Sequence, residues 1–324
     1  MEGDSVTRVA VTGLGTFLGR QLVHRLSARE DPPTVLGLDV KPPLRLLPNV
    51  TFHPIDLTEP LAATRLAEVL QAHEIEVLVH LAFRAFPSRD VDADHDLETL
   101  GSSNVLEACA EAGVRRLVID SSTMVYGARP DNPNFLEETD ELRADPGAPP
   151  VQNRLAVEHL VQSWRERNPT VDCTVLRRCW VMGPAFFDAV VALFDADWVP
   201  TVLGYDPLLQ FVHEDDLLYV FERATLEPHP GVFNVVGRGV VPLSSLLANA
   251  GKWRLPVPQA WLSRAVGVAS MRASGSSADA LTDYLRFLWV ADGSRGWGEF
   301  GEPLYSTREA WSAFVGARRM RQHV

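Results

Sequence analysis

Eight residues near the N-terminus, Thr12-Gly13-Leu14-Gly15-Thr16-Phe17-Leu18-Gly19, stand between the apolar run Val9-Ala10-Val11 and an amphipathic run from Leu18 to Leu26. A glycine-rich turn from strand into helix points backbone N–H groups and the positive end of the helix dipole at one spot, which suits a diphosphate. Asp39 closes the next apolar run, Val35-Leu36-Gly37-Leu38, twenty positions after Gly19. A dinucleotide-binding βαβ unit places there the acid that holds the adenosine ribose hydroxyls. Such an aspartate accepts from both hydroxyls and repels a 2′-phosphate, so NAD is expected over NADP, although Lys41 nearby pulls the other way.

Holding these residues together requires a sheet, and the rest of the chain supplies its parts. Strand patterns at 8–12, 34–39, 50–53, 75–82, 116–120 and 174–177 alternate with helical patterns at 17–29, 61–72, 95–113 and 152–167. Near-continuous apolar strands between helices mean a parallel sheet covered on both faces. The expected fold is therefore α/β, a Rossmann-like doubly wound parallel sheet with ligands at the carboxyl ends of its strands. Beyond Gly183-Pro184 proline and glycine become frequent and the alternation weakens. This predicts a dinucleotide-binding domain over residues 1–180 and a smaller C-terminal substrate lobe over 181–324, partly interleaved with it. The Pro-, Asp- and Asn-rich segment 128–150 is too polar for core and reads as a loop over the cleft.

Composition sets the outer limits. A chain of 324 residues, 46% of them hydrophobic, has ample core material. A formal net charge of −12 argues against nucleic acid, and against a membrane held by bulk electrostatics; the short basic cluster Arg318-Arg319-Arg321 reads as a solvated helix end. Cys109, Cys173 and Cys179 are odd in number, lack metal-ligand spacing and fall in apolar runs, so they read as core thiols of a reducing compartment, with no metal. No apolar stretch reaches membrane-spanning length and residues 1–20 lack signal-peptide order, which makes the cytoplasm the expected location.

In this order the pieces resemble the extended short-chain dehydrogenase/reductase family, of the NAD-dependent epimerase/dehydratase type. The resemblance rests on the Thr-Gly start of the phosphate loop, Asp39, Asp56-Leu57, His80-Leu81-Ala82, the run Ser121 to Gly127, and Leu176-Arg177 with Gly183-Pro184. It continues through Phe211-Val212-His213-Glu214-Asp215-Asp216, Phe233-Asn234-Val235 and Tyr305-Ser306-Thr307-Arg308-Glu309. It implies an NAD touched by Gly13, Gly15, Thr16, Phe17, Leu18, Gly19, Asp39, Asp56, Leu57, Leu81, Ala82 and Arg154, together with a small-molecule substrate. It also implies a homodimer that pairs the helices 95–113 and 152–167 through Leu97, Leu100, Val105, Leu155, Leu160, Val161 and Trp164.

The catalytic set departs from that family, whose members move protons with a tyrosine, pKa about 10 when unperturbed, assisted by a lysine four residues later, a serine or threonine, and an asparagine. Registering Asn153-Arg154-Leu155-Ala156-Val157-Glu158 on the family's pattern puts Pro150 at the tyrosine position and Arg154 at the lysine position. Registering Gly101-Ser102-Ser103-Asn104-Val105-Leu106 puts Glu98 at the asparagine position, so of the four only Ser122 remains. Proline has no proton to give, and arginine keeps its own near neutral pH, which leaves Arg154 as an orienting cation at best. In the phosphate loop Thr16 stands where the family has glycine. Either the turn shifts by one residue, or the hydroxyl becomes a replacement donor.

Three groups could supply the proton: Tyr126, the one phenol near the expected site; Glu98, if burial raises its pKa; and the substrate itself. His80 reads as a packed histidine capping the sheet, and His213-Glu214-Asp215-Asp216 as a helix N-terminus in preference to a metal site. Arg84 and Arg89 follow the fourth strand and could pair with an anionic group. Trp180 and Phe187, with Phe83, Phe86 and Phe186, give the expected cleft an apolar lining, so an acyl, terpenoid or polyketide-like substrate stands as open as a sugar nucleotide. Two functions follow: a divergent NAD-dependent oxidoreductase or epimerase with a non-standard proton relay, and a dinucleotide-binding sensor or partner subunit that turns nothing over.

Overall fold

Short runs rich in valine, isoleucine and leucine, with no polar alternation, can be satisfied only inside a sheet covered on both sides. The computed structural model, which describes residues 7–86, 88, 90–269 and 281–322, places six of them as β1 (Arg8–Thr12), β2 (Thr34–Asp39), β3 (Val50–Pro54), β4 (Val77–His80), β5 (Arg116–Ser122) and β6 (Asp172–Arg178). With a seventh strand, Gly231–Val235, they form one parallel sheet in the order Gly231–Val235, β6, β5, β4, β1, β2, β3. The order reverses between β1 and β4, where Thr12 and His80 end their strands side by side. That reversal opens the crevice in which such sheets bind ligands. Separate apolar clusters cover the two faces of the sheet, and all three cysteines are buried free thiols.

The helices are set by their caps. Helix α1 (Phe17–Ser27) starts at Thr16, whose hydroxyl accepts from Gly19 N at 3.0 Å, and it buries Leu18, Leu22 and Leu26 on one face. After β3 comes α2 (Ala62–Ala72). The helix predicted from 95 begins earlier, at α3 (Val91–His95), because Asp90 caps it by accepting from Ala93 N at 3.0 Å. It is also not uniform: one π-helical turn, Asp96–Leu100, separates α3 from α4 (Gly101–Ala112). Such a turn adds a residue without breaking the helix, and it carries Glu98. Helix α5 spans Pro149–Arg167, three residues more than predicted, since Pro149 and Pro150 fill the first turn, where no N–H is needed.

Past β6 the chain builds small paired strands, Trp180–Met182 with Phe211–His213 and Trp198–Val202 with Trp253–Val257, before and after it returns to the main sheet as Gly231–Val235. An aromatic core of Trp180, Phe194, Phe211, Trp289 and Trp311 holds this part together. Among the described residues no helix is long and apolar enough to cross a membrane.

Candidate active site

The glycine loop is shaped by contacts that a side chain would block. Gly13 has φ +69°, and a Cβ there would stand 2.5 Å from Leu81 O; at Gly19 a Cβ would stand 2.3 Å from Gly13 O. The first helical bond of α1 runs from Arg20 N to Thr16 O, so the N–H groups of Phe17 and Leu18 have no helical acceptor. Thr16 spends its hydroxyl in the cap, donating to Gly13 O at 2.8 Å while accepting from Gly19 N. It therefore does not serve as a replacement donor to a phosphate. At the end of β2, Asp39 accepts from Gly15 N at 2.8 Å and from Val40 N at 2.7 Å, which fixes its carboxylate over the loop.

Above this loop lies a cleft of about 780 Å³, lined among others by Gly13, Gly15, Thr16, Asp39, Asp56, Leu57, Ala82 and Phe86. Its volume suits a large organic ligand, and its donors suit a dinucleotide. Leu81 is buried behind it, with its N–H on Thr12 O. Phe17 packs edge-on against Phe186 at 5.2 Å and Leu18 is core, so these two can meet a ligand through their backbone only.

Through Arg84 and Ala85, which line both, the cleft adjoins a smaller pocket of about 120 Å³ walled by Glu98, Ser122, Met124, Pro150, Arg154, Arg178, Trp180 and Asp188. Ser122, at the end of β5, accepts from Met124 N at 3.2 Å and keeps its own hydrogen to donate. Arg154 donates to Asp120 O at 2.8 Å and to Asp120 Oδ2 at 3.2 Å, with its guanidinium 3.6 Å over the Phe83 ring. Arg178 holds the other Asp120 oxygen at 2.9 Å. These are fixed cations.

Glu98 is the anomaly. It is 4% exposed, its Oε1 accepts from Arg84 N at 3.1 Å, and its Oε2 has no hydrogen-bond partner. Burial raises its pKa above the usual carboxylate range, against the pull of the Arg154 charge, the Arg84 N–H and the neighbouring Asn153 side chain. Asp94 lies nearby with an Oδ1 that also makes no hydrogen bond, although Arg84 Nε stands 3.1 Å away. Both acids line a void of about 20 Å³ with Pro149, Pro150 and Asn153, room for about one water.

Residues 9–235 match the NAD dependent epimerase/dehydratase family. The chain belongs to that family. Over nearly its whole length it is 29% identical to the uncharacterized protein Rv0501 of Mycobacterium tuberculosis, covering 96% of this chain and 84% of that one. The structure is similar to UDP-glucose 4-epimerase of Thermotoga maritima, solved with UDP-glucose, at TM-score 0.73 and 20% identity over 98% of this chain and 100% of the other. It is also similar to the Bordetella bronchiseptica enzyme WbmG, solved with NAD, at TM-score 0.71 and 18% identity over 99% and 96% of the two chains.

Several residues of this epimerase/dehydratase-family chain stand elsewhere than the sequence implied. Tyr126 is fully buried: its hydroxyl donates to Asn234 Oδ1 at 2.9 Å and accepts from Arg177 at 2.8 Å, and burial pushes its pKa up to about 12. It belongs to the core and not to the pocket wall, so the acid/base role expected of it falls away. Trp180 is buried in the aromatic core, against Phe211 and Trp289, and also lines the smaller pocket, as expected for it. Phe187 meets Phe86 at 5.5 Å and the Arg318 guanidinium at 5.0 Å, outside the pocket wall. That same Arg318 pairs with Asp195 at 3.3 Å, so the basic cluster is not simply a solvated helix end.

Arg84 faces both cavities but is tied to Asp94, and Arg89 lies outside the described residues. His80 is packed between Thr12 at 2.7 Å and Ser102 at 2.9 Å, with burial pushing its pKa down to about 3. His213 caps its helix, while Glu214 and Asp216 accept from the backbone N–H groups of Ala185 and Phe186, and of Leu304 and Tyr305. Among the described residues no group of three His, Cys, Asp or Glu side chains could hold a metal. Sequence reasoning missed Asp94 and Asp188. The latter, raised by burial to about 6, caps the helix Ala189–Asp195, and its one signal was an acid just before an apolar run.

Proposed function

We propose that this chain is an NAD-dependent oxidoreductase of the epimerase type in which Glu98 moves the proton that a tyrosine moves elsewhere in the family. The observation that carries the reading is the unbonded oxygen of a buried carboxyl, on the wall of the pocket that Ser122 also lines. When bound, the nicotinamide supplies a hydride acceptor or donor. The Ser122 hydroxyl donates to the substrate oxygen and orients it. The Glu98 carboxylate takes the hydroxyl proton as the alcohol becomes a ketone, and the protonated acid returns it in the reverse step. Arg154, pinned on Asp120, contributes a fixed positive charge that favours the ionised form of Glu98 during the transfer. The mixed wall, with Glu98, Ser122 and Asp188 beside Met124, Val151 and Trp180, suits a small molecule carrying a hydroxyl next to an apolar part. The sugar nucleotide bound by the Thermotoga neighbour is the first compound class to try.

The cofactor reading has its own test. With Asp39 held at the mouth of the loop, NAD is expected to bind more tightly than NADP by at least about tenfold, and Asp39→Ala to narrow or reverse the gap. Calorimetry giving equal affinities in the unaltered protein would sink this reading.

A second reading, dinucleotide binding without turnover, draws on Pro150 and on the doubly anchored Arg154, neither of which can exchange a proton. Stopped-flow mixing with candidate alcohols and ketones separates the two: absorbance change at the nicotinamide band supports the enzyme, whereas tight NAD binding with no change across all compounds supports the sensor.

We place the protein in the cytoplasm, which its unpaired buried thiols suit, and read it as a homodimer. Val105, Val161 and Trp164 are spent inside the monomer and Leu97 lines the cleft, so the pairing face reduces to the exposed Leu100 with the half-buried Leu155 and Leu160. Light scattering should give a dimer mass at micromolar concentration and a monomer for Leu100→Glu. A monomeric unaltered protein would count against the pairing.

A further inference from the structure

Two carboxyl oxygens that line one void are buried and have no hydrogen-bond partner among the described residues. Glu98 Oε2, on the π-helical turn, and Asp94 Oδ1, one turn earlier on α3, belong to side chains 4% and 7% exposed. Buried polar atoms are rarely left unpaired, and a void of about 20 Å³ with such walls takes one water. Asp94 is held there by its own element. It is the inward residue of a helical turn whose other members, Val91, Asp92, Ala93 and His95, are exposed, and its second oxygen, Oδ2, accepts from Ser88 N at 2.5 Å. Arg84 Nε lies 3.1 Å from Oδ1 without making a hydrogen bond to it.

The other walls decide how that water bonds. Pro149 and Pro150 bring no N–H to it, and Asn153 Oδ1 meets His95 Nδ1 at 2.9 Å, which leaves the Asn153 amide nitrogen to donate to the water or to Glu98. A water donating to both acids and accepting from Asn153 has three partners, the usual number for a buried water. The charged groups facing Glu98 are Arg154 from α5, Arg84 from the segment after β4 and Asp94 from α3, with Arg178 and Asp188 on the wall of the smaller pocket. Asp94 is the one acid that shares the void with it.

We propose that one water in this void joins Glu98 Oε2 to Asp94 Oδ1, and that Asp94 is the positioning residue that takes up and returns the proton handled by Glu98. The inference rests on the reading of Glu98 as the acid and base of the site. A carboxylate has about four lone-pair sites, so a bond from Arg84 N and one from the water leave Glu98 free to meet a substrate hydroxyl as well. As the alcohol is oxidised its O–H bond breaks and the proton goes to Glu98, while the hydride goes to the nicotinamide. Glu98 then gives its proton to the water, and the water gives one of its own to Asp94 Oδ1, ending unchanged. The ketone can leave without carrying the proton away, and the reverse transfers restore it for a reduction. With both acids ionised their charges repel across the water, so Asp94 makes the last proton of the pair harder to remove.

Two measurements on the full chain test the proposal, and neither needs a substrate. Infrared titration from about pH 4 to about pH 9, with Glu98→Gln as the blank, reads the band of the protonated Glu98 carboxyl. In Asp94→Asn the midpoint of that band should fall by about one unit, because the second negative charge is gone while the side chain keeps its size. A crystal structure of the unaltered protein should show a water within about 3 Å of both oxygens, and it decides the matter even if Asp94→Asn fails to fold. A void without water, a direct contact between the two carboxyls, or a Glu98 midpoint indifferent to Asp94 overturns the proposal and leaves Glu98 as the acid. Absence of any Glu98 band across the titration would instead remove the acid itself, and with it the reading on which this one rests.

Discussion

Glu98→Gln should lower turnover of any confirmed substrate by about 10²- to 10⁴-fold while leaving NAD affinity nearly unchanged. The amide keeps the size of the carboxyl and the bond from Arg84 N, but cannot take or give a proton. A second readout needs no substrate. Burial raises the pKa of Glu98 in the folded state above its unfolded value, so the folded protein holds a proton that the unfolded chain has released. Stability contributed by the protonated acid is full below the unfolded pKa, about 4.3, and is lost as pH rises toward and through the folded value. Glutamine carries no such penalty. The difference in melting temperature between Glu98→Gln and the parent should therefore grow in favour of the variant from pH 5 to pH 8. Unchanged turnover would remove Glu98 from the chemistry, and a pH-independent difference in melting would show that its carboxyl is solvated.

The largest loss of stability is expected at Glu158. This buried carboxylate takes three bonds from Arg177, the shortest 2.6 Å, and a fourth from the Ser121 hydroxyl at 2.5 Å, while Arg177 goes on to the Tyr126 hydroxyl and to Glu138 O. Removing it in Glu158→Ala leaves a guanidinium in the core without its counter-ion, which costs about 3–5 kcal/mol. Tyr126→Phe removes one member of the same network and should cost about 1–3 kcal/mol with no change in proton chemistry. Urea denaturation measures both; a loss under about 1 kcal/mol for Glu158→Ala would mean that water reaches Arg177.

The parts of this molecule that could be read from the sequence are those decided by neighbours in the chain. The glycine loop, Asp39 at a strand end and the alternation of β1 to β6 with their helices depend on short-range pattern, and they stand as read. Tyr126 could not be read this way, because its partners Asn234 and Arg177 are 108 and 51 positions away and only the folded sheet brings them to its hydroxyl. The π turn at Asp96–Leu100 also leaves no periodic trace, since one added residue in a helical pattern is within its ordinary irregularity. Without that turn the phase of Glu98 relative to α4 is wrong by about a quarter of a turn or more. Pro149 and Pro150 were visible, yet they read as loop when they in fact open a helix.

Those two prolines also bear on how such a site could change over generations. Neither has an N–H, so the wall they give to the void beside Glu98 and Asp94 offers no main-chain donor to an ionised oxygen. Burial in that setting favours the protonated carboxyl of Glu98, against the Arg154 charge, the Arg84 N–H and the Asn153 side chain. Placing a tyrosine at position 150 would insert a hydroxyl donor, and with it remove the condition on which the acid role proposed for Glu98 depends. The two arrangements are thus alternatives that spoil one another.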